Sequence, residues 1–302
     1  PTIRVVTATV GVAEQHAYGA WAATTLALAL LAAVALAAGR AACDWSLRRP
    51  GDAGTARESR QVGRRAQRRT AFGELLAVDR ASVWRSASLR RGAFVLGLLP
   101  GTVAFALGVE WGTLLLLPGL VASGAALLFG VNAFCLDAGG AIWLATLPHD
   151  PRLALRSKAV VVAETSLVCV LLAVGAGLLR VQGRPTAAHL VGLVSAVAAT
   201  VVSVVGTSLR LSVTRPHRAD LRGRRDTPAP PGTMAVYSVR MAAQTTVAGL
   251  LVAGAAATGV WWFPAAVALP VLLLGARSAA VAARGWRDPA RRAFVAVTVA
   301  AG

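Results

Sequence analysis

The chain holds a single lysine, Lys158, and so few acids that 31 basic side chains face only 13 carboxylates. That lysine sits in Arg156-Ser157-Lys158-Ala159, so no GxxxxGK[ST] loop exists to cradle phosphates, and the chain does not read as an enzyme that hydrolyses a nucleotide itself. No GxSxG elbow occurs. His16, His149, His189 and His217 share no HExxH or HxxxH spacing, which leaves each as a lone loop or interfacial residue rather than a ligand. Cys43, Cys135 and Cys169 lie far apart with no CxxC pair, so neither a disulfide framework nor a zinc site is expected. Charged residues make up 15% of the chain, against roughly a quarter in a soluble domain.

Apolar residues fill the space that charge leaves. They account for 56% of 302 positions, and the mean hydropathy is +0.62, an excess that points to lipid as the solvent. The formal charge of +18 can signal a nucleic-acid partner. Here the arginines fall between apolar runs instead of forming one face of a domain, so the anionic inner leaflet of a membrane is the expected partner and nucleic acid is not. The arginine bias itself reads as GC-rich coding. The chain opens at Pro1 without Met or a signal-like segment, which suggests a processed or truncated start.

Seven runs are long and apolar enough to span: Tyr18–Gly39, Gly92–Val109, Trp111–Phe134, Ala159–Leu179, Ala187–Leu209, Met241–Trp261 and Pro264–Ala283. Pro118, Gly119, Pro264 and Pro270 within them are tolerated in a bundle whose neighbours satisfy the freed backbone groups. Seven spans place 27 of the cations on one side and only Arg4, Arg180 and Arg184 on the other, with Arg277 inside the last run. The basic side is cytoplasmic by the positive-inside rule, so the N-terminus is expected outside and the C-terminus inside a plasma membrane. The fold class is then all-α, a polytopic bundle. Residues 1–40 form an external segment and first span, 41–91 a basic linker with an interfacial helix, 92–284 a six-span unit and 285–302 a cytoplasmic tail.

The interfacial helix is placed at Arg64–Arg91, where Phe72, Leu75, Leu76 and Val83 recur at helical spacing beside Trp84, flanked by arginines. The Pro-rich segment Arg210–Arg240 reads as a cytoplasmic loop whose Leu221–Arg225 patch faces the leaflet. At membrane depth, Glu164 is a candidate for a transport path or for a structural ion pair, and the second reading is favoured because no other intramembrane acid accompanies it. Asn132 fits a bond to a neighbouring helix. Gly119, Ser123 and Gly124 permit close helix packing.

Residues Leu127–Glu164 read LLFGVNAFCLDAGGAIWLATLPHDPRLALRSKAVVVAE. A span ends at Asn132 and Phe134, and Asp137 with Gly139 and Gly140 makes a turn. A short apolar helix then carries Ala141, Ile142, Trp143, Leu144 and Leu147. Pro148 and Pro151 stop it, and Arg152 leads to Lys158 at the next span. Such a helix–break–helix element can transmit a push from a cytosolic partner.

This stretch resembles the loop after the first spans of type-2 ABC exporter permeases, with an Asn-Phe end, an acidic-Gly turn, a Leu-x-x-Leu-Pro helix and a later Lys. Residues Arg64–Ala283 also follow that family's order: an interfacial helix, six spans, and a coupling helix between the second and third. The resemblance implies a non-catalytic permease subunit of an ATP-driven exporter, with no cofactor of its own because ATP is bound by a partner. A cytosolic ATPase would dock on Asp137, Gly139, Gly140, Trp143, Leu144, Leu147, Pro148, Arg152 and Lys158. The extra first span leaves open a pseudo-dimer with a preceding half, or a homodimer. Two other classes compete: a secondary transporter, which tends to show intramembrane acids and broken helices in paired repeats, and a membrane assembly factor without catalytic groups.

Overall fold

The computed structural model describes residues 70–85, 87–125, 132–137, 139–217 and 229–301, with eight helical positions between 26 and 41. The expected first span Tyr18–Gly39, the arginines of 64–69 and the patch Leu221–Arg225 fall largely or wholly outside the described residues. The chain divides into two compact units, Pro1–Gln67 and Arg68–Gly302. The second is all-helical among its described residues, and five of its helices are long and apolar enough to cross a membrane.

Helix α1 is Ala71–Arg85 and α2 is Ala87–Leu107. Only Ser86 separates them, so the amphipathic α1 leads directly into an apolar helix. Gly97 and Gly101 of α2 face the backbone of Cys169 and Ala173; a methyl on Gly101 would lie 2.8 Å from the Ala173 backbone. Small residues at such a crossing let backbones approach closely where lipid supplies no hydrophobic drive.

The expected span Trp111–Phe134 is broken. It begins as the single turn α3, Trp111–Leu114, and resumes as α4, Leu117–Ala125, while residues 126–131 fall outside the described set. Pro118 accounts for the break: it has no N–H, and its ring clashes with the carbonyl four residues earlier. Leu114, Leu115 and Val121 around the break are fully buried.

A short helix, α5, covers Gly140–Thr146, and α6 runs over Pro151–Leu178. Asp150 caps α6 by accepting from the Arg152 N–H at 2.9 Å, and Pro151 takes the first-turn position that tolerates it. These signals start α6 eight residues before the expected Ala159. Helix α7, Ala187–Thr214, opens on a reciprocal cap between Thr186 and His189. Helix α8, Pro231–Ala257, also starts earlier than the expected Met241, because Pro230-Pro231 initiates it straight from the Pro-rich loop. Helix α9 is Phe263–Trp286. The α6 and α7 helices, at 28 residues each, reach about 42 Å, more than a hydrocarbon core of about 30 Å.

The residues expected as a tail fold into α10, Pro289–Ala300, capped by Asp288 and holding Val295 and Val299 buried. The two ends of the unit differ. At one, Gly108 and Gly183 take φ of +59° and +81°, and the turns they make join through Gln182 N–H to the Val109 carbonyl at 3.0 Å. The other carries α5, the start of α6, residues 215–217, the start of α8 and α10, and is the basic end. Between the ends, large apolar side chains point outward from most of the long helices: Val95, Leu99, Leu171, Val194, Leu250 and Leu273. A soluble surface rarely presents such a belt, and it fits the apolar helices of a multi-pass membrane protein.

Candidate functional site

The element around α5 is held from both sides. Before it, Asn132 is fully buried and donates from Nδ2 to the His217 carbonyl at 2.6 Å, while the Ala133 N–H donates to Ser212 Oγ at 2.8 Å. Those bonds pin the end of the broken span to the end of α7, the packing role expected of Asn132. The turn is then built by Cys135 N–H to the Asn132 carbonyl, Asp137 N–H to Phe134, and Gly140 N–H to Asp137 at 2.8 Å. Gly139 adopts an ordinary φ of −59°, and a methyl on Gly139 or Gly140 meets open space, so neither position demands glycine.

Helix α5 falls where the apolar pattern placed it. Its last turn ends in an extended Leu147, after which the His149 N–H bonds back to the Leu147 carbonyl. Trp143 is 70% exposed, Ile142 50% and Leu147 41%, while Pro148 and Arg152 are also exposed. Leu144 turns the other way. With Phe134, Trp286 and Ala296 it lines a cavity of about 250 Å³ between α5, α10 and the start of α6. Trp286 anchors that cavity: its ring stacks on Phe134 at 4.7 Å, and its Nε1 donates to the Pro151 carbonyl at 2.8 Å. The side chains expected to act together therefore divide between an outward pair, Ile142 and Trp143, and the cavity-lining Leu144 and Leu147, the latter still partly exposed.

Lys158 is not on that face at all. Its Nζ is buried between two carboxylates, Asp79 at 2.7 Å and Asp137, and lies 5.9 Å from the Phe134 ring centroid. Ser157 Oγ donates to the second oxygen of Asp79. One ammonium thus serves two acids from two different elements, which locks α1 and the turn before α5 onto α6. Burial raises the Asp137 carboxyl above its ordinary range, against the opposing pull of Lys158, and the nearby Asp79 adds to the rise. Burial likewise pushes the Cys135 thiol up to about 12, which leaves it protonated and inert at neutral pH.

Beside this cluster Arg80 of α1 grips Glu164 of α6 with two hydrogen bonds, one of them Nε to Oε2 at 2.8 Å. The fork geometry is the strong form of this pairing. Glu164 is thus matched to an arginine, the ion pair that the structural reading of this residue expects. The partner on which both joints depend, Asp79-Arg80, escaped the sequence reading. Asp79 shares the helical stripe of Leu76 and Val83, and an acid on an otherwise apolar face is the available signal. No group of His, Cys, Asp and Glu among the described residues could hold a metal ion.

No protein-family model, no curated protein and no solved structure matches the chain.

Proposed function

We propose that this chain is the permease subunit of an ATP-driven exporter, a seven-span protein with its basic end in the cytoplasm, energised by a separate ATPase that docks on α5. The observation that carries this reading is the outward apolar pair Ile142 and Trp143 on a short, braced helix. An aromatic exposed on a small rigid platform is the kind of residue that dominates a contact. The platform is joined to the spans twice, through Asp137 to Lys158 on α6 and through α10, which packs on both α5 and α9. Movement imposed on α5 has two direct routes into the bundle. The positive-inside rule puts the same face on the side where ATP is available. ATP belongs to the partner; the chain contributes the docking helix and the path.

The test is retention of the nucleotide-binding protein that accompanies the affinity-tagged wild-type chain through purification. Replacing Ile142 and Trp143 together with Asp is expected to weaken retention by about 30-fold, the effect of one hot spot of ~2 kcal/mol, and to abolish transport-coupled hydrolysis in a protein that still inserts. Undiminished retention with normal coupled hydrolysis contradicts the proposal.

A further inference from the structure

Helices α7, α8 and α9 enclose a cavity of about 510 Å³ that the docking element does not touch. Arg210 of α7, Arg240 of α8 and Arg277 of α9 all line it, together with Gln244. No carboxylate lines it, and among the described residues none of the three arginines forms an ion pair. Arg240 and Arg277 each lie nine residues inside their helix's basic end, about 14 Å along the axis. Arg210 lies four residues from its own. Three cations from three helices are therefore brought to one cavity, and two of them, Arg240 and Arg277, lie well inside candidate spans, where an unneutralised charge is costly and marks a site by default.

The rest of the lining changes character with depth. Along α8 the order away from the basic end is Arg240, Gln244, Val247, Leu251; on α9, Leu274 and Val271 lie beyond Arg277. Gly275 of α9 lines the cavity, and Gly206 of α7 approaches its backbone so closely that there is no room for a side chain. A cationic mouth thus opens into a trough that is apolar along α8 and α9 and carries the Ser203 and Thr207 hydroxyls on its α7 wall. We infer that this cavity binds one phosphate-bearing anionic lipid of the cytoplasmic leaflet, its phosphate held by Arg210, Arg240 and Arg277 and an acyl chain lying along Val247, Leu251 and Leu274. Basic pockets between spans on this side are suited to such headgroups. A soluble anion would use the mouth and leave the trough empty. A second copy of this chain is ill matched, because its net charge is +18. The inference requires a membrane but not an ATPase, so it stands apart from docking at α5.

The experiment titrates a fluorescent short-chain phosphatidylglycerol into the full chain in non-ionic detergent, beside its phosphatidylcholine analogue and glycerol 3-phosphate as competitor. The wild type is expected to bind the glycerol lipid more tightly than the choline lipid. Arg240→Gln with Arg277→Gln is expected to weaken phosphatidylglycerol binding by about 25-fold, roughly fivefold for each arginine. Arg180→Gln at the opposite end leaves binding unchanged. Arg240→Lys with Arg277→Lys keeps the charge and most of the binding, which separates lost charge from lost fold. Wild-type affinity in the Gln pair overturns the inference, as does equal loss in the Lys pair. Equal binding of the choline lipid, or displacement by glycerol 3-phosphate at the concentration at which the lipid binds, overturns it as well. So does a lipid-free wild-type dimer that the Gln pair dissolves, which would make a second copy the occupant.

Discussion

Two helix joints in this bundle handle cations in opposite ways. Where α1 crosses α6, each cation has its acid: Lys158 takes Asp79 and Asp137, and Arg80 takes Glu164. Where α7 crosses α9, the helices meet through bare glycine backbone, and Arg277 beside that contact has no described acid. The first joint is complete within the chain. The second is close-packed yet electrostatically open, which is why its counter-charge is sought in the membrane. Polar pairing and small-residue packing are the two ways helices associate when lipid replaces water, and here each way serves one joint.

The difference is sharpest on removing a cation from each. Lys158→Met leaves the carboxylates of Asp79 and Asp137 without their shared cation and is expected to lower stability by ~3–5 kcal/mol. Arg277→Met, by contrast, should stay within about 0.5 kcal/mol of wild type in lipid-free detergent. Unfolding in a denaturing detergent, followed by circular dichroism, measures both; similar losses would erase the distinction between the joints. Adding bulk should reverse the ranking. Gly275→Leu drives a side chain into the Val202 backbone and is expected to cost ~1–3 kcal/mol by overpacking. Gly139→Leu, in open space, should cost little.

A smaller effect is read from pH. The folded Asp137 carboxyl is raised, so its contribution to stability is full below the unfolded value of about 3.9 and is lost as pH rises through the folded value. The groups around it are Asp79 from α1, Lys158 and Ser157 from α6, and Cys135 in its own turn. Asp137→Asn should flatten that part of the stability profile. A profile unchanged by the substitution would place the burial effect elsewhere.

Much of this arrangement is legible in the sequence because it is periodic or local. The apolar runs mark the long helices, and the Gly-flanked, Pro-stopped segment marks α5. Where boundaries differ, a local start signal decides: the Asp150 cap with Pro151, and the first-turn proline Pro231 after Pro230, begin helices inside stretches that charge counting reads as loops. The break at Leu115-Leu116 follows from Pro118, a residue taken as tolerated in an unbroken span. The ion pairs are another matter. Asp79 and Lys158 are 79 positions apart, and nothing in either neighbourhood specifies the other until α1 is laid against α6. The same holds for the three arginines of α7, α8 and α9, which the sequence distributes between the two ends of one basic segment and a span. The face of Leu144 was likewise unreadable, because it depends on α10 closing over α5 from more than a hundred residues away.

Docking of an ATPase on α5, as proposed, is tested by photocrosslinking in living cells with benzoylphenylalanine placed at Trp143 or at Trp262. Both tryptophans are exposed, and they lie at opposite ends of the bundle. An adduct that contains a nucleotide-binding protein is expected at position 143, and none at position 262. No nucleotide-binding protein at 143, or the same one at both positions, would contradict it.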